Sequence, residues 1–299
     1  MQTITNVASV PKLSPFRYPG GKTWLVPQLR RWLLSFNQKP DYFIEPFAGG
    51  AISSLTVAME DLAEHVVFCE LDTRIASVWR IILSDADWLC RRIAEFEMNL
   101  ENVQDILHKE PQNDRTLAFQ TIIRNRVQHG GIIASGASLM RAGENGKGIA
   151  SRWYPSTLIK RIRAIHSIRH RLTFIEGNGF DLIQEYRCSP SAAFFIDPPY
   201  TAGGKRAGKR LYTFNEINHD GLFNLARMIQ GRFLMTYDVA PEVISLAHQS
   251  GFTVTEIPMQ NTHHNQMMEL LITHGDDRIF GEECLQEECV HRQNVVNWR

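Results

Sequence analysis

The segment DYFIEPFAGGAISSLTVAM, residues 41–59, decides the fold of this chain. The apolar run Tyr42–Ile44 is short enough for a buried strand, and the Pro and Gly residues that follow it end any regular element. The small, apolar residues after the turn predict a helix. This strand, turn and helix are typical of the first unit of an α/β sheet.

Similar units recur along the chain. Strands are predicted within HVVFCELD, LTFIEGNGFDLI, AAFFIDPPY, GRFLMTYD and MMELLITH, which begin at residues 65, 172, 192, 231 and 267. Amphipathic segments lie at 24–36 and from Thr73 to Phe96. Because strands alternate with helices, we predict a doubly wound, mostly parallel Rossmann-like sheet with helices on both faces.

The apolar periodicity fades after residue 96. Glycine and asparagine interrupt RNRVQHGGIIASGASLMRAGENGKGIASRWYP, residues 124–155, which indicates an inserted module rich in loops. We therefore divide the chain into the first part of the α/β domain (1–96), an inserted loop- and helix-rich domain (97–165) and the second part of the α/β domain (166–299).

Charge is distributed unevenly although the formal net charge is zero. Eleven Lys and Arg residues lie between Arg115 and Arg171, against one acid, Glu144. A second basic cluster, GGKRAGKR, occupies residues 203–210. One basic face indicates contact with a polyanion. For LIKRIRAIHSIRHRL, residues 158–172, a solvated face of an amphipathic helix explains the pattern equally well.

Several classes of protein are disfavoured. The five cysteines are scattered and lack metal-ligand spacing, so we expect neither a disulfide framework nor a metal site. The chain has no apolar run long enough to span a bilayer and no signal-peptide pattern, and we expect a cytoplasmic, monomeric protein without a membrane partner.

Two strand ends predict a nucleoside cofactor. The first strand runs into a turn with acceptor and glycine residues: Glu45, Pro46, Phe47, Ala48, Gly49 and Gly50. The next ends at Glu70 and Asp72, where an acid can accept hydrogen bonds from ribose hydroxyls. The alternative is structural, since tight turns between strand and helix need glycine anyway. No Gly-x-Gly-x-x-Gly is present, which disfavours a dinucleotide.

The sharpest signal is Asp197, Pro198, Pro199 and Tyr200, directly after a buried strand. The prolines remove two backbone donors, so that carbonyl and carboxylate oxygens face one small volume beside an aromatic ring. Such a site accepts hydrogen bonds and suits a planar ring bearing an amino group. We assign Asp197 and the Pro198 carbonyl as acceptors for the amine and Tyr200 as the stacking surface.

Four motifs in this order resemble the Dam-type, D12-class DNA adenine-N6 methyltransferases: FRYPGGK at 16–22, FIEPFAGGA at 43–51, FCELD at 68–72 and DPPY at 197–200. The resemblance implies S-adenosylmethionine as cofactor, held by Tyr18 and Lys22, the turn at Phe47, Gly49 and Gly50, and Glu70 at the ribose. Phe180 or Asp181 would lie near the cofactor's adenine and Asp197 near its methionine amine.

By the same resemblance the insertion recognises double-stranded DNA. Arginines suit guanine or phosphate, and Asn125, Gln128 and Asn145 suit adenine edges. An adenine within a duplex must be flipped out to reach the DPPY site, and the basic loop after it would hold the flanking phosphates. The predicted DNA-binding residues are Arg124, Arg126, Gln128, Arg141, Asn145, Lys147, Arg152, Lys205, Arg206, Lys209 and Arg210.

Two alternatives stay open. The same pocket could methylate adenine in structured RNA, or the chain could be a catalytically silent DNA-binding protein on the same scaffold. The intact DPPY and EPFAGG motifs favour an active enzyme, because buried acids and prolines are costly without a task. A restriction–modification enzyme, an orphan and a phage-encoded enzyme fit the sequence equally.

Overall fold

The chain forms one seven-stranded sheet between two layers of helices. The computed structural model describes residues 10–17, 21–133, 137–140, 143, 146–199, 217–260 and 266–275. Its strands are β1 Tyr42–Glu45, β2 His65–Glu70, β3 Leu172–Glu176, β4 Ala192–Ile196, β5 Arg232–Asp238, β6 Phe252–Gln260 and β7 Gln266–His274. Their order in the sheet is β3-β2-β1-β4-β5-β7-β6.

Strands β1 to β5 pair in parallel, whereas β7 runs antiparallel to both β5 and β6. The prediction of a mostly parallel α/β sheet is therefore confirmed. The β6–β7 hairpin at the edge is new, because FTVTEIPMQ (252–260) was not singled out as a strand.

The helices of the described residues are α1 Val26–Leu34, α2 Ile52–Met59, α3 Thr73–Glu95, α4 Leu100–His108, α5 Asp114–Val127, α6 Pro155–Ser167, α7 Gly179–Tyr186, α8 His219–Ala226 and α9 Pro241–Gln249. A short 3-10 turn, Lys22–Leu25, precedes α1. Asp72 caps α3 by accepting from the Arg74 N–H.

Successive strand residues enter two different cores, because side chains of a strand alternate between faces. Phe43 and Phe195 pack on one face, with α1, α2, α3, α5 and α6. Ile44 and Phe194 pack on the other, with α7, α8 and α9. Both faces of the central strands are thus covered, as parallel sheets require.

The segment predicted as an insertion is more helical than its glycines suggest. α4 and α5 precede the irregular stretch, and α5 begins with a capping box formed by Asn113 and Thr116. Ile122, Ile123, Leu158 and Ile162 join the core that covers α3. Residues 97–165 therefore share a hydrophobic core with the rest of the chain, and their predicted end at 165 falls inside α6.

Candidate active site

The site lies where the winding of the sheet reverses. β1 has β2 and then β3 on one side, and β4 with β5 on the other. The connections leave β1 and β4 in opposite directions, which opens a crevice beyond their carboxyl ends. Glu45 is the last residue of β1, and Asp197 directly follows β4.

Glu45 is buried at this crevice. Its Oε2 accepts hydrogen bonds from the backbone N–H of Ser54, at 2.9 Å, and from the Ser54 hydroxyl. Burial raises the pKa of Glu45 to about 8, and the charge of Asp197 acts in the same direction while the Ser54 hydrogen bonds oppose it. Glu45 is therefore mostly protonated near neutral pH.

Hydrogen bonds to α3 and to β2 hold the turn after Glu45 in place. The indole Nε1 of Trp79 donates to the Gly49 carbonyl at 3.0 Å, and the Ala48 N–H donates to the Cys69 carbonyl at 2.9 Å. Gly49 has φ +49° and Ala51 has φ +50°, so the chain turns through left-handed conformations before α2. Glycine adopts this conformation at Gly49 without strain, whereas Ala51 adopts it at a steric cost.

Glu70 connects this turn to the end of β2. Its Oε2 accepts from the Gly49 N–H at 2.9 Å, and its Oε1 accepts from the Asp72 N–H at 2.8 Å. Burial raises the pKa of Glu70 to about 7, although these backbone donors lower it. The two predicted cofactor segments thus meet through one carboxylate.

A third segment, at the start of α7, closes on the same turn. The rings of Phe47 and Phe180 lie edge to face, with 6.2 Å between their centroids. A Cβ on Gly179 would come within 2.5 Å of the Pro46 carbonyl oxygen and 2.8 Å of the Phe47 ring. Only glycine allows the chain to come this close. The close approach brings Phe180 next to Phe47, whereas the Asp181 side chain is exposed.

Asp197 lies in a charged cluster. The Lys22 ammonium is 3.1 Å from Asp197 Oδ1 and 2.8 Å from Glu269 Oε1. The Thr236 hydroxyl also donates to Asp197 Oδ1, at 2.8 Å. The cluster therefore joins the 3-10 turn before α1, the end of β4, β5 and β7.

The structure thus brings together most of the predicted cofactor and catalytic residues at one edge of the sheet: Lys22, Glu45, Pro46, Phe47, Ala48, Gly49, Gly50, Glu70, Phe180, Asp197, Pro198 and Pro199. Tyr18 and Tyr200 lie outside the described residues. Sequence reasoning missed Glu269 and Thr236. The available signal for Glu269 was an acid within the apolar strand MMELLI, which is costly to bury without a partner.

The predicted DNA-binding residues are not brought together as one surface. Asn125 is fully buried and bonded to the backbone, and Arg126 donates to the Pro15 carbonyl from a side chain that is 7% exposed. Gln128 is buried and donates to the Ala137 carbonyl at 3.3 Å. These placements favour a structural role, because a buried side chain cannot reach a phosphate or a base edge without rearrangement.

Other basic residues are more accessible. Lys147 is exposed, and Arg124 and Arg152 are half-buried, with Arg124 Nη2 donating to the Leu107 carbonyl at 3.3 Å. The remaining predicted contacts lie outside the described residues: Arg141, Asn145, Lys205, Arg206, Lys209 and Arg210.

Two general expectations concern absences. None of the helices in the described part of the chain is long and apolar enough to cross a membrane. Within the same residues there is no group of three His, Cys, Asp or Glu side chains that could hold a metal ion.

A doubly wound sheet with a glycine turn after β1, an acid at the end of β2 and the residues Asp197, Pro198 and Pro199 at its switch point is the arrangement expected of an α/β methyltransferase. Residues 18–246 match the model of the D12 class N6 adenine-specific DNA methyltransferase family. The chain belongs to this family and is a methyltransferase. No curated protein matches it.

Solved structures with similar backbones include other methyltransferases. The rRNA methyltransferase aviRa from Streptomyces viridochromogenes is 12% identical, with a TM-score of 0.40, over 91% of this chain and 94% of that one. Precorrin-6y C5,15-methyltransferase from Geobacter metallireducens is 9% identical, with a TM-score of 0.34, over 84% and 87%. These likenesses are too distant to carry an argument about substrate.

Proposed function

We propose that this chain transfers the methyl group of S-adenosylmethionine to the N6 amine of an adenine flipped out of duplex DNA at a specific sequence. The observation that carries the proposal is the position of Asp197. It lies at the switch point of the sheet, next to the turn that Glu70 and Gly49 hold, in a chain of the D12 family.

The residues around the turn fit the cofactor. Glu70 is oriented by two backbone N–H groups, and carboxylate oxygens can accept further hydrogen bonds from ribose hydroxyls. Phe47 and Phe180 offer apolar surface to an adenine ring, and Gly179 keeps the chain close enough to Pro46 to leave that surface open. S-adenosylmethionine would supply a methyl group already activated by its sulfonium.

The acids of the crevice suit cationic and amine-bearing ligands. Asp197 and Glu269 both contact the Lys22 ammonium, and burial raises the pKa of the neighbouring Glu45 to about 8. An adenine amine is a weak nucleophile because its lone pair is delocalised into the ring. Accepting its hydrogens at Asp197 and the Pro198 carbonyl would stabilise the positive charge that develops on nitrogen.

Alignment of the target amine with the methyl donor would be the second contribution to catalysis. Pro198 is buried and Pro199 half-buried, and their fixed φ angles restrict the backbone that carries the acceptors. Holding a nucleophile and an electrophile in line can contribute about 7–11 kcal/mol to lowering a barrier. Exposed cations such as Lys147, together with the basic residues at 205–210, would hold the phosphates of the distorted duplex.

The test measures methyl transfer from tritiated S-adenosylmethionine to duplex DNA, to single-stranded DNA and to structured RNA, followed by sequencing of N6-methyladenine. We expect label on duplex DNA at one recurring sequence. Label on RNA alone would show that the substrate is RNA and not DNA. The absence of label on every nucleic acid would refute the proposal.

Cofactor binding is tested separately by titrating S-adenosylmethionine into the Glu70→Ala protein. Loss of a charged hydrogen-bond acceptor should weaken binding roughly tenfold to hundredfold. Affinity equal to that of the wild type would remove Glu70 from the ribose site. Glu176→Ala, which changes an exposed acid on the neighbouring strand β3, is the matched control.

A further inference from the structure

The Lys22 ammonium lies between two carboxylates that come from distant parts of the chain. It is 2.8 Å from Glu269 and 3.1 Å from Asp197. The Lys22 and Glu269 side chains are 5% and 4% exposed, whereas Asp197 is 21% exposed. Asp197, the carboxylate assigned to the substrate, is therefore the more accessible of the two. Glu269 is more deeply buried and has the shorter contact with the Lys22 ammonium.

Glu269 reaches this position through the antiparallel edge of the sheet. The pairing of β5 with β7 puts Glu269 opposite Asp238, and Thr236 on β5 donates to Asp197. Leu270 and Leu271, which follow Glu269, are buried in the core. An acid in such surroundings is unfavourable unless a cation compensates its charge.

On the basis of the proposed function, we propose that Glu269 is a positioning residue for methyl transfer. It attracts the Lys22 ammonium and so limits how strongly that ammonium neutralises Asp197. Asp197 thereby keeps its strength as an acceptor for the amine of the target base. Without the charge of Glu269, the attraction of Lys22 would shift towards Asp197 and compete with the amine hydrogens.

Three further ionisable groups among the described residues lie near the cluster: Glu45, Tyr237 and Asp238. Glu45 on β1 is mostly protonated near neutral pH, because burial raises its pKa to about 8. Tyr237 on β5 stays neutral, because burial and then the charge of Asp197 raise its pKa. Asp238 lies next to Tyr237 and opposite Glu269 in the sheet. Glu269 and Asp197 both contact the Lys22 ammonium.

The test compares Glu269→Gln, which keeps the shape and removes the charge, with Glu269→Asp, which keeps the charge and shortens the side chain. Single-turnover methyl transfer to duplex DNA should fall roughly tenfold to hundredfold in Glu269→Gln, the usual scale for a charged hydrogen-bond partner. Glu269→Asp should retain clearly more activity than Glu269→Gln. The affinity for duplex DNA should stay within about threefold of the wild type, because DNA is not bound through Glu269.

A residue that only fills space would give the reverse order, with Glu269→Gln active and Glu269→Asp impaired, and this result would overturn the proposal. Glu256→Gln, an exposed acid on the adjacent strand β6, is the control and should transfer methyl groups normally. If Glu269→Gln does not fold, Glu269→Asp decides: activity within about fivefold of the wild type supports the proposal, and a larger loss contradicts it.

The wild-type protein in the same assay separates the two proposals. Inactivity of the wild type on every nucleic acid refutes the proposed function and this inference with it. An active wild type with an equally active Glu269→Gln refutes only the role of Glu269.

Discussion

The carboxyl edge of the sheet and the predicted recognition segment, residues 97–165, use buried polar side chains in opposite ways. At the edge, Asp197 and Glu269 contact the Lys22 ammonium, and the buried Glu45 lies close enough to Asp197 for their charges to interact. In the segment, Asn125 and Arg126 turn away from solvent and bind backbone groups of residues 15 and 17.

Asn125 shows the difference most clearly. Its Oδ1 accepts from the Arg17 N–H at 2.9 Å, and its Nδ2 donates to the carbonyls of Arg17 and Gly131 at 2.9 and 2.8 Å. Two of these bonds bind backbone groups within the FRYPGGK motif, at Arg17, and the third binds the Gly131 carbonyl. A polar residue in a basic segment can thus stabilise the fold instead of binding DNA, and the residue type alone does not distinguish these two roles.

The largest effect is expected for Asp197→Ala. Loss of a transition-state hydrogen-bond partner should lower methyl transfer about 10²- to 10³-fold while duplex binding stays largely intact, because phosphate contacts supply most of the affinity. Tritium transfer and a mobility shift on the same preparation check both parts. Asp87→Ala, an exposed acid on α3, is the control. Activity within tenfold of the wild type would exclude Asp197 as the amine acceptor.

Asn125→Ala should reduce stability rather than recognition. The substitution removes the side chain that binds one buried and two half-buried backbone groups, which should cost about 3 kcal/mol of the free energy of unfolding. Urea unfolding measures this loss, and Asn224→Ala on the exposed face of α8 provides the comparison. Weaker DNA binding with unchanged stability would instead show that Asn125 contacts DNA, and the difference drawn between the sheet edge and residues 97–165 would then not hold.

Glu45 predicts a pH dependence of stability at the catalytic edge. Its pKa is raised from 4.5 to about 8 in the folded protein, so the folded state binds more protons than the unfolded state between these values. The contribution of Glu45 to stability is therefore present below pH 4.5 and is lost as the pH rises towards 8. Glu45→Gln, which stays neutral, should gain roughly 1–3 kcal/mol over the wild type between pH 5 and pH 8.

Thermal unfolding without cofactor at several pH values measures this difference. Glu256→Gln, an exposed acid on β6, should show no such trend. If the difference between Glu45→Gln and the wild type does not change with pH, Glu45 is ionised in the folded protein as it is in the unfolded one.

The smallest effect is expected for Lys147→Ala. Because Lys147 is exposed, its loss should weaken DNA binding only a few-fold, lower the slope of log affinity against log salt by about one, and leave stability unchanged. Lys39→Ala, before β1 at the opposite edge of the sheet, should leave the slope unaltered. An unchanged slope for Lys147→Ala would show that Lys147 does not contact the DNA phosphates.

The parallel core and most of its site could be predicted from local patterns. Strands β1 to β5 and helices α1, α2 and α3 lie within segments predicted from the sequence, and β7 and α6 overlap such segments. Strand β6 and helices α4, α5, α7, α8 and α9 were not predicted. Helices α4, α7, α8 and α9 have only eight or nine residues, which is too short for a helical period to be distinctive in the sequence.

The sequence by itself determined the sheet type and the order of the motifs, because apolar runs, prolines and glycines restrict the backbone locally. It also placed Glu45, Glu70 and Asp197 at strand ends, and parallel strands bring such ends to one edge. Only the tertiary structure decided that Glu269 joins Lys22 and that Asn125 and Arg126 turn inward. Both outcomes depend on pairing between segments more than 100 residues apart, which no local pattern encodes.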